Sequence, residues 1–323
     1  MKIGYFLSCE EYTPAELVDQ ARSAEEAGFD ALWISDHFHP WNDEQGQSPF
    51  VWSMIGAVAQ VCSLPVTTAV TCPTTRLHPV IVAQAAATSA VLLDGRFRLG
   101  VGTGEALNEH VTGARWPSVQ QRLEQLEESI EVMRRLWTGD FVTFHGRYYT
   151  VENARIYTRP DGPIPVYVSA FGPNAAELAG RVGDGFISTS PDRDGLQRFR
   201  DSGGAGKPSQ AGYKVCWGRD PEQAIDTAHR LWANSGVPGE LAQVLPSPKH
   251  FEQVSTLVTR EMTRDAIAYG PEVDKHVAAF RPFAEAGFDE VYLSQIGGRD
   301  ANSDLARFFC FYRDEVLPAL RAI

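Results

Sequence analysis

Short apolar runs alternate with longer segments of helical periodicity along most of the chain. Eight apolar runs are typical of buried strands and cover residues 2–8, 31–36, 64–70, 97–103, 165–170, 185–190, 212–217 and 290–295. Helices are predicted between them, at 13–27, 50–61, 78–93, 118–137, 174–182, 221–234, up to 287, and at 303–322. Thr13 and Ser118 are expected to cap two of these helices. This repeat predicts an α/β fold, a (β/α)8 TIM barrel formed by residues 1–323 as a single domain.

Two segments interrupt the repeat. Residues 138–163 contain the alternating stretch FVTFHGRYYTV and are predicted to form a hairpin-like insertion. Residues 236–265 begin with a run rich in Pro and Gly and are predicted to be an irregular insertion, either a lid over the site or a linker. A doubly wound dinucleotide-binding sheet is the weaker alternative, because Gly100, Gly102 and Gly104 follow the fourth strand and do not have the G-x-G-x-x-G spacing.

Charge and composition narrow the classes of partner. The chain has 29 Lys and Arg against 41 Asp and Glu, a net charge of −12, which disfavours binding to nucleic acid or to an anionic membrane. No apolar run approaches the roughly 18 residues that cross a bilayer, so a cytoplasmic protein is expected. The 5 cysteines are scattered and form no C-x-x-C pair, so neither a disulfide framework nor a zinc site is indicated.

Polar and titratable residues follow several of the predicted strands. In a barrel the carboxyl ends of all strands meet at one face. His37 follows the second strand and Glu105 the fourth, and an imidazole and a carboxylate in one cavity can move the protons of an alcohol oxidation. We therefore take His37 and Glu105 as the candidate catalytic pair, with Trp41 as a wall of the pocket. The alternative for His37 is a core histidine satisfied by Asp36. No metal is expected, because the His37–His39 pair has no further ligands at the other strand ends.

The stretch 96–113, RFRLGVGTGEALNEHVTG, combines a buried strand with a polar loop. Its glycines leave the backbone open to close approach by a cofactor ring or phosphate. Glu105 and Asn108 follow immediately, so this loop is a candidate ligand site. A tight glycine turn with a solvated glutamate is the alternative interpretation.

Four motifs carry a resemblance to a known family. They are SDHFHPW at 35–41, RLHPVIVAQ at 76–84, GTGEALNE at 102–109 and GDGF at 183–186. With them the chain resembles the luciferase-like flavin and deazaflavin oxidoreductases, and among these the F420-dependent glucose-6-phosphate dehydrogenases. The resemblance implies a bacterial-luciferase-like barrel, usually a homodimer, that holds coenzyme F420, an 8-hydroxy-5-deazaflavin, with its ring in the barrel mouth.

The resemblance also implies roles for individual residues. His37 would be the base toward the substrate alcohol, Glu105 the acid toward the ring nitrogen, and Trp41 a wall beside the reacting pair. Cofactor contacts are expected from Asp36, Ala69, Val70, Cys72, Asn108, Ala170, Phe171 and Gly172, with a cis peptide bond between Ala69 and Val70. Substrate contacts are expected from Glu10, Thr189, Gln253 and Arg264.

The chain departs from the sugar-phosphate enzymes where they bind phosphate. Asp192 occupies the position of one phosphate-binding lysine and Gln253 that of another, whereas Arg264 matches the phosphate arginine. A carboxylate repels a phosphate, so an alcohol, carbonyl or sugar-like small molecule other than glucose 6-phosphate is expected. Phe171 stands where the family often has a second glycine beside the cofactor phosphate.

The QGQS stretch at 45–48 resembles a neighbouring branch presumed to use FMN. We expect an F420-dependent oxidoreductase that transfers a hydride, because a His and Glu pair suits alcohol or carbonyl chemistry. An FMN-dependent oxidoreductase or monooxygenase is the alternative, and a non-catalytic barrel or a metal-dependent hydrolase is more remote.

Overall fold

Eight parallel strands close into a barrel within residues 1–322, the part of the chain that this computed structural model describes. The strands of the chain are β1 (Lys2–Leu7), β2 (Ala31–Ile34), β3 (Val66–Thr68), β4 (Phe97–Val101), β5 (Val142–His145), β6 (Thr150–Ala154), β7 (Val166–Ser169), β8 (Gly185–Ser188), β9 (Ser209–Cys216), β10 (Ala268–Tyr269) and β11 (Glu290–Gln295). Around the barrel the order is β1, β2, β3, β4, β7, β8, β9, β11 and back to β1. The predicted (β/α)8 barrel is therefore confirmed.

Helices follow most of the barrel strands. They are α1 (Pro14–Ala27), α2 (Val51–Val58), α3 (Pro79–Leu92), α4 (Ala106–Glu109), α5 (Val119–Trp137), α6 (Pro173–Val182), α7 (Arg193–Phe199), α8 (Pro221–Trp232), α9 (Leu241–Val244), α10 (Pro248–Ser255), α11 (Arg260–Ala266), α12 (Val273–Ala286), α13 (Leu305–Phe311) and α14 (Leu317–Arg321). Thr13 and Ser118 cap α1 and α5, and each side chain accepts a hydrogen bond from the third residue of its helix. No helix among residues 1–322 is both long and apolar enough to cross a membrane.

The differences from the predicted elements concern mainly their ends. The barrel strands β1 and β2 end before Ser8 and Ser35, because these hydroxyls leave the sheet to bind a buried carboxylate, Glu10. The strand β9 begins three residues earlier than predicted, at Ser209, where polar residues obscure the apolar pattern. The helix α4 and the two-residue strand β10, which pairs with β9, are absent from the predicted elements.

The two predicted insertions contain regular structure. Residues 138–163 include the antiparallel pair β5 and β6. Residues 236–265 contain three short helices, α9, α10 and α11, and are thus more regular than their composition indicates. Whether this second segment acts as a lid stays a prediction.

Large aromatic side chains fill the barrel interior. The rings of Trp33 and Tyr292 stack with centroids 4.5 Å apart, and glycines on neighbouring strands make room for them. A Cβ atom on Gly4 would lie 2.2 Å from the Tyr292 ring, and one on Gly212 would lie 2.3 Å from Trp33. Phe6 packs edge-on against Trp33 and is only half-buried, so the interior is open beyond this aromatic layer. The layer is the floor of the barrel mouth.

Replacing Gly100 with Ala is expected to destabilise the barrel. The new Cβ would lie 1.8 Å from the Thr68 carbonyl oxygen of the neighbouring strand, so β3 and β4 would have to separate. We expect a loss of about 3 kcal/mol or more, measured by thermal unfolding. The control is Gly56→Ala in α2, where no atom lies within 4 Å of the new Cβ and a gain of about 0.5–1 kcal/mol is expected. Equal stability of the two variants would contradict this packing.

Candidate active site

A buried carboxylate, Glu10, lies where β1 and β2 end. Its Oε2 atom accepts hydrogen bonds from the hydroxyls of Ser8, at 2.8 Å, and Ser35, at 2.9 Å. The side chain is 3% exposed. Burial raises the pKa of Glu10, but the charges of His37 and Lys214 outweigh burial and hold this pKa below its usual 4.5. The group is therefore a fixed negative charge beneath the mouth.

His37 lies next to this carboxylate. Its Nε2 atom is 3.5 Å from Glu10 Oε1, and its Nδ1 atom is 3.2 Å from the carbonyl oxygen of His39. A carbonyl oxygen can only accept a hydrogen bond, so Nδ1 carries the proton in neutral His37. The lone pair is then on Nε2, beside the carboxylate. The sequence-based choice of His37 as a proton acceptor therefore meets a geometry that suits the role.

Trp41 forms a wall beside His37. The two rings have centroids 4.9 Å apart, and the other side of the indole meets Phe251 edge-on at 4.9 Å. Phe251 belongs to α10, within the second insertion, and is 1% exposed. Glu252 of the same helix accepts a hydrogen bond from the backbone of Asp43. The segment 236–265 thus packs directly against the loop that carries His37 and Trp41.

A charged cluster that the sequence analysis did not identify completes this side of the mouth. Lys214 projects from β9, with Nζ 3.4 Å from the centroid of the Trp232 ring. Trp232 Nε1 donates a hydrogen bond of 2.8 Å to Glu11 Oε2, and Glu11 is 2% exposed. Burial raises the pKa of Glu11 and lowers that of Lys214. The sequence does contain one indication of this cluster. Lys214 is a charged residue within a strand, and it shares the inward-facing alternate positions with Gln210 and Gly212.

Glu105 and Asn108 lie on the opposite rim, in the loop after β4. Glu105 is half-buried at the start of α4. Asn108 is 1% exposed, and its Oδ1 atom accepts hydrogen bonds from the backbone N–H groups of Phe38 and His39 at 2.9 and 3.1 Å. Its Nδ2 atom donates a long hydrogen bond of 3.4 Å to Glu105 Oε2. One amide side chain thus connects the loop of Glu105 to the loop of His37.

The carboxylate of Asp36 is already engaged by the protein. Its Oδ2 atom accepts a hydrogen bond from Thr71, and its Oδ1 atom forms an ion pair of 2.8 Å with Arg76. The backbone N–H of Arg76 donates a hydrogen bond of 2.8 Å to the buried Glu109. Burial raises the pKa of Glu109 to about 7, against the charge of Arg76. The predicted contact of Asp36 with a cofactor stays a prediction. In the structure its carboxylate binds Thr71 and Arg76.

The remaining predicted cofactor residues form two groups. Ala69 and Val70 are half-buried at the floor, and the peptide bond between them is cis, as the resemblance implies. Cys72 is buried, with Sγ 3.0 Å from Thr74 Oγ1. After β7, Ala170 is buried, whereas Phe171 is 56% exposed. Gly172 has a φ of 114° and open space around its Cα, directly before α6. The backbone at Gly172 is thus accessible. The side chain of Phe171 is exposed and does not bury this backbone.

The four residues predicted to bind substrate do not all lie at one site. Glu10 lies beneath the mouth, and Thr189 is exposed just after β8. Gln253 is exposed on α10, and Arg264 on α11 forms an ion pair of 2.8 Å with Glu222. Asp192 accepts a hydrogen bond from Gly195 N as the cap of α7. Arg264 and Asp192 thus have partners of their own, and Arg264 shares Glu222 with Arg260.

The comparison with known proteins identifies the family. The model of the luciferase-like monooxygenase family matches residues 1–290. The chain belongs to this family. Among curated relatives, the F420-dependent glucose-6-phosphate dehydrogenase of Amycolatopsis mediterranei (strain U-32) is 37% identical, with 100% of this chain and 99% of the relative covered. That of Nakamurella multipartita is 36% identical, with 100% and 97% covered.

Solved structures agree with this family assignment. An F420-dependent secondary alcohol dehydrogenase in complex with an F420–acetone adduct superimposes with a TM-score of 0.90 at 33% identity, with 99% of both chains covered. The coenzyme F420-dependent tetrahydromethanopterin reductase from Methanopyrus kandleri has a TM-score of 0.76 at 20% identity, again with 99% of both chains covered. The second likeness shows a shared fold.

Replacing Glu109 with Gln is expected to change how stability depends on pH. Because the folded protein binds the Glu109 proton more tightly than the unfolded chain, this stabilisation is complete below about pH 4.5 and is lost as the pH rises through about 7. The neutral glutamine does not titrate. As the pH rises from 5 to 8, the free energy of unfolding of Glu109→Gln should therefore increase relative to that of the wild type, by up to about 3 kcal/mol. Thermal unfolding across this range measures the difference.

The same substitution at the exposed Glu131 is the control for this experiment. A Glu109→Gln variant whose stability relative to the wild type stays constant from pH 5 to 8 would contradict the raised pKa.

Proposed function

We propose that this protein is an F420-dependent dehydrogenase that transfers a hydride between the deazaflavin and an alcohol or carbonyl substrate. The observation that carries the proposal is the orientation of His37. Its proton-bearing Nδ1 is directed at the His39 carbonyl, and its Nε2 lies beside Glu10 under the open mouth. The F420-dependent relatives and the F420-dependent structure at 33% identity support the choice of cofactor.

The residues at the mouth fit a flat ring with a phosphate-bearing tail. Phe6, Ala69 and Val70 are half-buried apolar groups, unlike the fully enclosed aromatic layer below them. They would hold the ring, and the open backbone at Gly172, before α6, would contact the phosphate. When bound, the deazaflavin accepts or returns a hydride at its ring.

His37 would take the hydroxyl proton of the substrate at Nε2. The ring then becomes positively charged, and Glu10 stabilises this charge from 3.5 Å. Because the hydroxyls of Ser8 and Ser35 hold Glu10 in place, the carboxylate does not need to move during the reaction. Loss of the carbon-bound hydrogen as a hydride, together with the hydroxyl proton, leaves a carbonyl product. Trp41 keeps water away from one face of His37.

Glu105 would donate the proton that accompanies the hydride on the cofactor ring, whereas the hydroxyl proton of the alcohol goes to His37. Only its Oε2 atom has a hydrogen-bond partner in the structure of residues 1–322, which leaves Oε1 available. Asn108 fixes the distance between the two proton-carrying loops by its three hydrogen bonds. The proposed base and acid are therefore in loops that follow two different barrel strands, as expected for an active site at the carboxyl end of a barrel.

The substrate proposed here is an alcohol or a sugar-like compound without a phosphate. Arg264, the remaining match to the phosphate-binding residues of the family, is paired with Glu222, and Arg260 binds the same carboxylate. Asp192 is a helix cap, and Gln253 has no charge. A dianionic phosphate would meet no unpaired cation at these three positions.

We also propose that the protein is a homodimer that associates through α3. This helix has no charged residue over 14 positions, PVIVAQAAATSAVL, and Ile81, Val91 and Leu92 are each at least 43% exposed. Trp52 of α2 lies beside Ile81 along the same surface. An uncharged apolar face of this kind is typical of the centre of an interface between copies of one chain.

Replacing His37 with Ala is expected to abolish turnover and leave cofactor binding nearly unchanged. Loss of a general base typically costs 10²–10⁴-fold in rate. The measurement is anaerobic reduction of F420 by a panel of alcohols, together with the Kd for F420. His145→Ala, an exposed histidine on β5 paired with Glu152, is the control. An equal loss of F420 affinity in His37→Ala would make His37 a binding residue instead.

The double variant Ile81→Lys and Leu92→Glu is expected to be monomeric. Charges at the centre of an apolar interface cannot be solvated after association, so they should disrupt it. Light scattering after gel filtration measures the mass, and Leu257→Glu, a substitution of a 75% exposed residue after α10, is the control. A wild-type monomer, or a double variant that remains a dimer, would contradict this interface.

A further inference from the structure

Lys214 is a charged side chain inside the barrel that the proposed proton transfers do not use. It follows Gln210 and Gly212 on β9, at alternate positions that face the interior. Gln210 binds Trp33 and Glu290 in the lower layers, whereas Lys214 lies two positions from the end of the strand, at the level of Phe6. Its ammonium group is therefore at the floor of the mouth.

The ammonium has aromatic neighbours but no acceptor. Nζ lies 3.4 Å from the Trp232 ring centroid and 5.2 Å from that of Phe6. Within residues 1–322 it forms no hydrogen bond, and no carboxylate oxygen is within ion-pair distance. An aromatic face satisfies one direction of the charge. Lys214 is half-buried, so the N–H donors on its other side can reach an oxygen in the open mouth.

The two nearest carboxylates are occupied by other donors. Glu10 is bound by Ser8 and Ser35 and faces His37. Glu11 accepts hydrogen bonds from Trp232 Nε1 and from the backbone N–H of Gly297. These contacts hold both carboxylates away from Nζ. The protein thus supplies negative charge that keeps Lys214 in place, and leaves its donors for a ligand.

We propose that Lys214 binds a second, uncharged oxygen of the substrate, next to the carbon that is oxidised. The inference rests on the proposed function and specifies its substrate class as vicinal diols and larger polyols, sugars included. His37 lies beside Glu10, and Lys214 contacts Trp232, which is hydrogen-bonded to the adjacent Glu11. A substrate whose reacting hydroxyl meets His37 Nε2 therefore brings an adjacent hydroxyl toward Nζ.

The charges around Lys214 favour a neutral oxygen over an anion. The charged groups that act on it are Glu10 and Glu11, both from the loop after β1. Glu10 already balances the ammonium, so a carboxylate or phosphate on the substrate would add an uncompensated negative charge to a buried site. A hydroxyl accepts a hydrogen bond from Nζ without this cost.

The test compares three probes that differ only in the second group. These are propan-2-ol, propane-1,2-diol and lactate, oxidised anaerobically by the F420-loaded wild type, Lys214→Met and Lys275→Met. We expect the wild type to prefer the diol over both other probes by at least tenfold in kcat/KM. Lys214→Met should lose about 10- to 100-fold on the diol and less than about threefold on propan-2-ol. Lys275, an exposed residue paired with Glu272 on α12, should give wild-type values.

Several results would overturn the proposal. An equal loss on the diol and on propan-2-ol would mean that Lys214 acts through Glu10 and His37 rather than on the second oxygen. No loss on either would remove the residue from the site, and a preference for lactate would reverse the charge argument. Lys214→Leu, which also has no N–H donor, replaces Lys214→Met if that variant does not fold, with the same expected losses.

A binding measurement separates this proposal from the proposed function. Isothermal titration calorimetry with propane-1,2-diol, with and without F420, measures the affinity of the wild type and of Lys214→Met for the diol. If the wild type binds F420 but oxidises no probe, the dehydrogenase proposal fails. Tighter binding of the diol to the wild type than to Lys214→Met would then still support Lys214 as its ligand, and equal binding would refute it.

Discussion

The proposed chemistry of this site depends on one carboxylate, Glu10, that the structure holds in a fixed position. Glu10 is enclosed beneath the mouth, held by two hydroxyls from the ends of adjacent strands, and kept ionised by His37 and Lys214. A buried carboxylate without such partners would become neutral or move into the solvent. Because Ser8 and Ser35 are at the ends of β1 and β2, the position of the charge follows from the pairing of these strands.

A second network fixes the other rim. Arg76 joins Asp36, after β2, to Glu109, at the end of α4, and Asn108 adds hydrogen bonds between the same two loops. Each partner is buried, so breaking one contact would leave another polar group unpaired. The loops that carry His37 and Glu105 are therefore held by the barrel and by each other. This rigidity suits the proposed chemistry, which needs a fixed distance between the proposed base, His37, and the proposed acid, Glu105.

Much of the fold could be predicted from hydrophobic spacing. The caps of α1 and α5, the eight barrel strands and the order of the elements all follow from local patterns, because apolar alternation and capping side chains act within a few residues. His37, Trp41 and Glu105 were chosen as candidates for a related reason, since strand ends in a barrel meet at one face.

The partners of these residues could not be predicted in the same way. The contacts of Lys214 with Trp232, and of Arg76 with Asp36, join residues that are far apart in the chain, and no local pattern carries that information. The expected roles of Asp36 and Arg264 show the same limit, because both side chains have ion-pair partners that only the folded chain brings near. Whether a charged side chain is available to a ligand depends on its ion-pair partners, which the sequence alone does not show.

The assignment of function depends on the mouth of this barrel holding F420 rather than FMN. A titration of the purified protein with each compound, followed by quenching of tryptophan fluorescence, tests it most directly, since Trp41 borders the mouth. We expect a Kd for F420 in the micromolar range or below, a binding free energy of about −8 kcal/mol or better, and FMN binding at least about tenfold weaker. FMN binding as tight as that of F420, or tighter, would contradict it.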